Sequence, residues 1–199
     1  YGVSMIELDG KKRRAEYNGD KQFVTASTYK LLVAYSLLKR IDSGARSWDS
    51  DQACFNKMIS LSDNACAESF LHAIGVSTLT SEANAIGLKN STFMKGGGPY
   101  TTANDQALLL GMIATGQNFS SANQQRLLEA MKKNVFRKGI PAGVSGTVAD
   151  KVGFMNGLLH DSAIVYGSHG TYVLSIMTDG ASWEAIADLA KQLDALRAQ

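Results

Sequence analysis

The order of strand and helix signals predicts an α/β chain of α+β layout: a five-stranded antiparallel sheet flanked by helices, with an all-helical lobe inserted between its second and third strands. Three observations point there. Strand-like segments cluster at the two ends of the chain, helical periods fill the middle, and one of those periods, Thr28 to Ile41, is apolar on nearly every face and so reads as a buried central helix. At 199 residues the chain is long enough for one domain burying roughly 70% of its unfolded surface. The expected division is a single unit over 1–199, with a sheet lobe from 1–26 and 140–199 and a helical lobe from 27–139.

In chain order, residues 1–8 and Arg14 to Asn18 form a hairpin across the Asp9-Gly10 turn. The central helix follows and stops at Ser43-Gly44, a C-terminal signal. Short helices are expected over Gln52–Ile59, Ala65–Ile74, Leu79–Ile86, Asp105–Ala114 and Ser121–Asn134, with Thr102 and Ser120/Ser121 at two starts. Lys95-Gly-Gly-Gly-Pro99 must be loop. Strands return at Thr147–Val152, Ser162–Tyr166 and Thr171–Thr178, the last two joined through Gly167-Ser-His-Gly170. A final helix starts at the cap Ser182 and places Trp183, Ile186, Leu189, Ala190, Leu193 and Leu196 on one face.

Composition removes several functions. Twenty Lys and Arg stand against 18 acids, and the one basic run, Lys11 to Arg14, belongs to a hairpin tip, which argues against a nucleic-acid partner. Leu31 to Leu38 is too short to span a membrane, and the opening residues read as a strand rather than a signal peptide. Cys54 and Cys66 form no CxxC or Cys/His cluster, and three scattered histidines make no HExxH, so no metal site is expected. Two buried thiols and a disulfide between adjacent helices fit these cysteines equally well.

GxSxG, the P-loop and GxGxxG are all missing. What remains is Ser27-Thr-Tyr-Lys30, a hydroxyl and an amine one turn apart at the start of the buried helix. An apolar setting lowers a lysine's pKa, so the neutral amine can take the serine proton, and the helix start offers free N–H groups for an oxyanion. SxxK alone is weak, with about one chance copy in a chain this long. Ser36-Leu-Leu-Lys39 is a second copy, but lies mid-helix, where a serine bonds back to the preceding turn. Ser62-Asp-Asn64 is rarer; taken alone it reads as a helix cap, and beside Ser27 and Lys30 as a proton relay with an amide ligand. Lys151-Val-Gly153 lies on a strand, where a lysine attracts a substrate carboxylate and a glycine admits close backbone approach. Lys95-Gly-Gly97 has the same spacing without flanking strands.

Together these motifs resemble the serine penicillin-recognising enzymes, most closely the class A β-lactamase branch and its serine hydrolase relatives. Ser27-Thr-Tyr-Lys30, Ser62-Asp-Asn64 and Lys151-Val-Gly153 occur in the family's order, and Thr101-Thr-Ala-Asn-Asp105 is similar to the segment after the class A Ω-loop. The likeness covers nearly the whole chain, with the opening helix absent and the helical lobe trimmed. It implies a β-lactamase/transpeptidase-like fold with Ser27 as acylated nucleophile, Lys30 as its base, Ser62 as proton relay, and Lys151 as carboxylate anchor and proton-network partner. Asn64, Gly153 and Phe154 would contact substrate, and the backbone N–H groups of Ser27 and Phe154 would form the oxyanion hole. No cofactor is implied. The substrates would be peptidoglycan stem peptides or the β-lactams that mimic them, and the location extracellular, periplasmic or cell-surface.

Two departures shape the expected activity. Class A enzymes carry an Ω-loop glutamate that activates the deacylating water, whereas Ala65 to Tyr100 contains only Glu68 and Glu82 and no acid from Ala83 to Tyr100. A missing general base costs about 10² to 10⁴ in rate. Val152 stands where the family has Thr or Ser, so affinity for carboxylate-bearing substrates is expected to fall. The leading expectation is a Ser27 acyl-enzyme hydrolase or acyltransferase with weak or no β-lactam hydrolysis; a β-lactamase with an unusual base and a non-catalytic binding domain are the alternatives.

Overall fold

The computed structural model describes residues 1–197. The chain opens with the hairpin β1 (Gly2–Glu7) and β2 (Arg14–Tyr17), followed by the two-residue strand β3 (Phe23–Val24) and a 3₁₀ turn over Ala26–Tyr29 that leads into α1 (Lys30–Asp42). The helical block continues with α2 (Trp48–Ser60), α3 (Asn64–Ile74) and α4 (Val76–Ala85). After the two-residue strand β4 (Tyr100–Thr101) come α5 (Ala103–Thr115), α6 (Ser121–Lys132) and the single turn α7 (Ile140–Gly143). Strands β5 (Thr147–Met155), β6 (Leu158–Gly167) and β7 (Gly170–Asp179) and helix α8 (Trp183–Arg197) close the chain.

The sheet is antiparallel, in the order β2-β1-β7-β6-β5, so the first and last strands of the chain meet at β1 and β7, with Ser4 opposite Ser175. This is the predicted five-stranded sheet. Its two faces are covered by different helices. One apolar cluster joins α1, with Leu31, Val33 and Leu37 fully buried, to α2–α6 and to Ala149 and Ile164 of the sheet. The other joins Val148, Ala163 and Leu174 to Ile140 of α7 and Ile186 and Ala190 of α8. Successive residues of a strand point to opposite faces, and adjacent Val148 and Ala149 accordingly enter opposite clusters.

Helix starts follow the expected chemistry. The Thr102 hydroxyl accepts from Asp105 N at 3.1 Å, Ser120 from Asn123 N at 3.3 Å, and Ser182 from Ala185 N at 3.1 Å. Three differences from the sequence reading stand out. The β3–β4 pair and α7 are too short to show periodicity, and β5 runs three residues past Val152, to Met155. Leu196 does not join the buried face of α8 but is 57% exposed, because the last turn turns Arg197 inward instead, onto Glu7. Cys54 and Cys66 form a disulfide between α2 and α3. Among the described residues no helix is long and apolar enough to cross a membrane.

Candidate active site

The site begins where β3 breaks. Ala26 takes a left-handed conformation, φ 45°, and the next residues wind into the 3₁₀ turn, held by the Thr28 hydroxyl on Thr25 O at 2.8 Å. A non-glycine residue at positive φ is strained by about 1–3 kcal/mol and must be held by its surroundings. Residues three apart nearly eclipse in a 3₁₀ turn. Ser27 and Lys30 therefore meet, with Lys30 Nζ 3.1 Å from Ser27 Oγ.

Lys30 has no accessible surface. Its amine reaches Ser62 O at 2.7 Å, Asn64 Oδ1 at 2.7 Å and Ser62 Oγ at 3.3 Å. Burial pushes its pKa down to about 8, against the pull of Asp63 and Glu68. A charged ammonium has three protons for these four oxygens; the neutral amine has two and a lone pair that can accept the proton of Ser27.

Ser62 is the second non-glycine residue at the site with positive φ, 57°, and this turn directs its carbonyl onto Lys30. Asp63 caps α3 by accepting from Cys66 N at 2.8 Å. Within Ser62-Asp-Asn64 the middle residue caps the helix and the outer two contact the Lys30 amine.

From the sheet, Lys151 Nζ donates to Ser62 Oγ at 3.0 Å and Val152 O at 2.8 Å. Burial and the neighbouring Lys30 charge lower its pKa to about 7. Ser27, Lys30, Ser62 and Lys151 thus form one continuous chain of polar contacts. Lys151 itself has no accessible surface, and neither has Val152. Both residues are therefore shielded from solvent, and Ser62 Oγ stands between the Lys151 and Lys30 amines. Gly153 lies so close to the 3₁₀ turn that a Cβ would fall 2.7 Å from Thr25 O and 2.9 Å from Ser27 N, so only glycine fits. On the opposite face of β5, buried Asp150 pairs with Arg137 and accepts from Asn134 Nδ2 at 2.5 Å. Burial pushes this carboxyl upward while Arg137 pulls it down. Neither Arg137 nor Asn134 stood out in the sequence, where nothing marks them as partners of Asp150.

Ser27 opens into a cavity of about 380 Å³ whose walls also include Asn64, Glu68, Gly97, Gly98 and Phe154. The Gly-rich loop, expected only to be a connection, is thus a wall of the site, anchored by Thr25 N on Pro99 O at 2.9 Å. Glu68 also went unselected in the sequence, although its i+4 spacing from Asn64 puts both on one helix face. A second, apolar cavity of about 240 Å³ lies beyond Phe154, against Phe136 and Trp183. Ser36, the competing SxxK serine, is buried and bonded to Arg40 Nη1 at 2.6 Å and to Glu82.

No curated protein sequence matches the chain. Solved structures do match in fold: a beta-lactamase from Sphaerobacter thermophilus (TM-score 0.88, 19% identity, covering 99% of this chain and 90% of that one) and PBP-A (0.89, 22%, 98% and 88%). A third is the last common ancestor of Gram-negative bacteria beta-lactamase class A (0.88, 22%, 98% and 92%). The model of the beta-lactamase enzyme family matches residues 1–53 and 50–196. With its fold and nearly its whole length matched, the chain belongs to the beta-lactamase enzyme family.

Proposed function

We propose that this protein is a serine hydrolase or acyltransferase that works through a Ser27 acyl-enzyme on peptidoglycan-type peptides or related amides and esters, with weak or no hydrolysis of β-lactams. The observation that carries it is the contact of Ser27 Oγ with the buried amine of Lys30 at 3.1 Å. In acylation, Lys30 takes the Ser27 proton as Oγ attacks the carbonyl, and the Ser27 and Phe154 N–H groups receive the oxyanion. Ser62, held by Lys30 and Lys151, returns the proton to the leaving group. Asn64 accepts from Lys30 through Oδ1 and keeps its amide N–H for the substrate. No metal or organic cofactor takes part. A PBP-A variant captured as an acyl-enzyme with penicillin G shares the fold (TM-score 0.90, 22% identity, covering 98% of this chain and 89% of that one), which supports small-molecule acylation. The family's usual setting supports an extracellular, periplasmic or cell-surface location.

Intact mass spectrometry after mixing with penicillin G tests the reading. A long-lived adduct on the wild type and none on Ser27→Ala is expected. Rapid turnover of penicillin G without a lasting adduct would move the protein to the β-lactamases. Lack of acylation by any β-lactam or activated ester would leave a binding domain.

A further inference from the structure

A Ser27 acyl-enzyme needs a base for hydrolysis, and most acids near the centre are already engaged. Asp63 caps α3, and Asp105 accepts from Ser91 Oγ and Asn90 N. Glu82 is held by Arg40 and Ser36, and Asp150 lies on the far side of β5 with Arg137. Among the described residues, Glu68 is the one carboxylate in the wall of the Ser27 cavity. It sits in α3 one helical turn after Asn64, whose Oδ1 touches Lys30, so the two side chains line the same face at a spacing of about 5–6 Å. It is exposed and, among the described residues, makes none of the hydrogen bonds or ion pairs that hold these four acids. The wall formed by Gly97, Gly98 and Pro99 carries no group able to take a proton.

We infer that Glu68 is the general base for hydrolysis of the Ser27 acyl-enzyme formed from esters and peptides, replacing a loop-borne carboxylate by one on helix α3. The leaving group of such substrates departs and admits water, where the tethered amine of a β-lactam would stay. This rests on the acyl-enzyme reading above. In the step, water in the cavity gives a proton to Glu68 as its oxygen bonds to the acyl carbon. The bond from that carbon to Ser27 Oγ then breaks. The proton returns from Glu68 to Oγ by way of Lys30, which touches Oγ, and the products are a free carboxylic acid and the regenerated serine.

The test uses p-nitrophenyl acetate at pH 9, where a Lys30 pKa of about 8 leaves the amine mostly neutral, so that the charge of Glu68 acts little on acylation. The burst of nitrophenol reports acylation and the steady rate reports deacylation. Glu68→Gln is expected to keep the burst within threefold, to lower the steady rate by about 10² to 10⁴, and to accumulate an acetyl adduct by mass. Hydroxylamine, a nucleophile that needs no base, is expected to clear the acetyl adduct from the isolated variant, freed of excess ester, as fast as from the wild type by mass, whereas a general distortion of the acyl site would slow this reaction too. A steady rate within threefold of wild type, a burst lost together with the steady rate, or an adduct that hydroxylamine clears more slowly from the variant, overturns the assignment. If the wild type itself shows neither burst nor Ser27 adduct, the acyl-enzyme reading fails, and this one with it.

Discussion

At the scale of single residues, two lysines with no accessible surface matter most. Lys30 and Lys151 hold lowered pKa values, about 8 and about 7, because burial penalises their charged forms. For acylation the sign is direct: a protonated Lys30 has no lone pair for the Ser27 proton. Acylation of Ser27 is therefore expected to rise with pH and level off above about 8, which stopped-flow nitrophenol release can follow. The same shift sets a stability dependence. Between pH 8 and 10.5 the unfolded chain holds a proton on Lys30 that the folded chain has lost, so the lysine's unfavourable contribution fades as pH rises. Relative to Lys30→Met, the urea midpoint of the wild type is expected to climb across that window; a constant gap would contradict it. SxxK was visible in the sequence, and so was the apolar setting that lowers the lysine's pKa; the contacts of its amine with Ser62 and Asn64, more than thirty positions away, were not.

At the scale of elements, α3 combines several tasks. Its first turn supplies Asn64, its second Glu68, and its cap residue Asp63 fixes the turn that presents Ser62. The Cys54–Cys66 disulfide ties this helix to α2 across a separation of 12 residues. Closing a loop of that size in the unfolded chain stabilises by about 3 kcal/mol on the loop-entropy model. Cys54→Ala/Cys66→Ala is expected to lose about that much in urea unfolding, with acylation weakened as Ser62 loosens. The sequence left free thiols and a disulfide equally open, because a spacing of twelve says nothing about whether two helices bring their Cβ atoms together. The β3–β4 pair was equally illegible: two residues per strand carry no alternation, yet they join the segment before Ser27 to the loop that walls the cavity.

At the scale of the whole molecule, β1 and the last turn of α8 are locked together. Glu7 of β1 accepts from Arg13 Nη2 at 2.8 Å and from Arg197 Nε at 3.2 Å, and the Arg197 guanidinium lies 3.8 Å from the centre of the Tyr172 ring. These contacts hold the Glu7 pKa down to about 2, chiefly through Arg13. A lowered carboxyl stabilises the fold above its unfolded pKa and loses that effect as pH falls toward 2. Arg197→Met, which removes one charge-assisted bond to a buried carboxylate, is expected to cost about 2 kcal/mol at pH 7; an unchanged unfolding midpoint would count against this lock. The sequence showed the basic hairpin tip but not that Arg13 folds back onto Glu7 and the carbonyl of Arg197, since these partners lie at opposite ends of the chain. By itself the sequence determined what local chemistry dictates: which segments are strands or helices, which hydroxyls cap them, and the Ser27–Lys30 pair one turn apart. Only the tertiary structure decided which distant groups share a space: Ser62 between two buried amines, Val152 fully buried, and Glu68 in the cavity wall. Periodicity and capping act over a few residues, whereas burial and proton affinity are set by neighbours that only folding brings together.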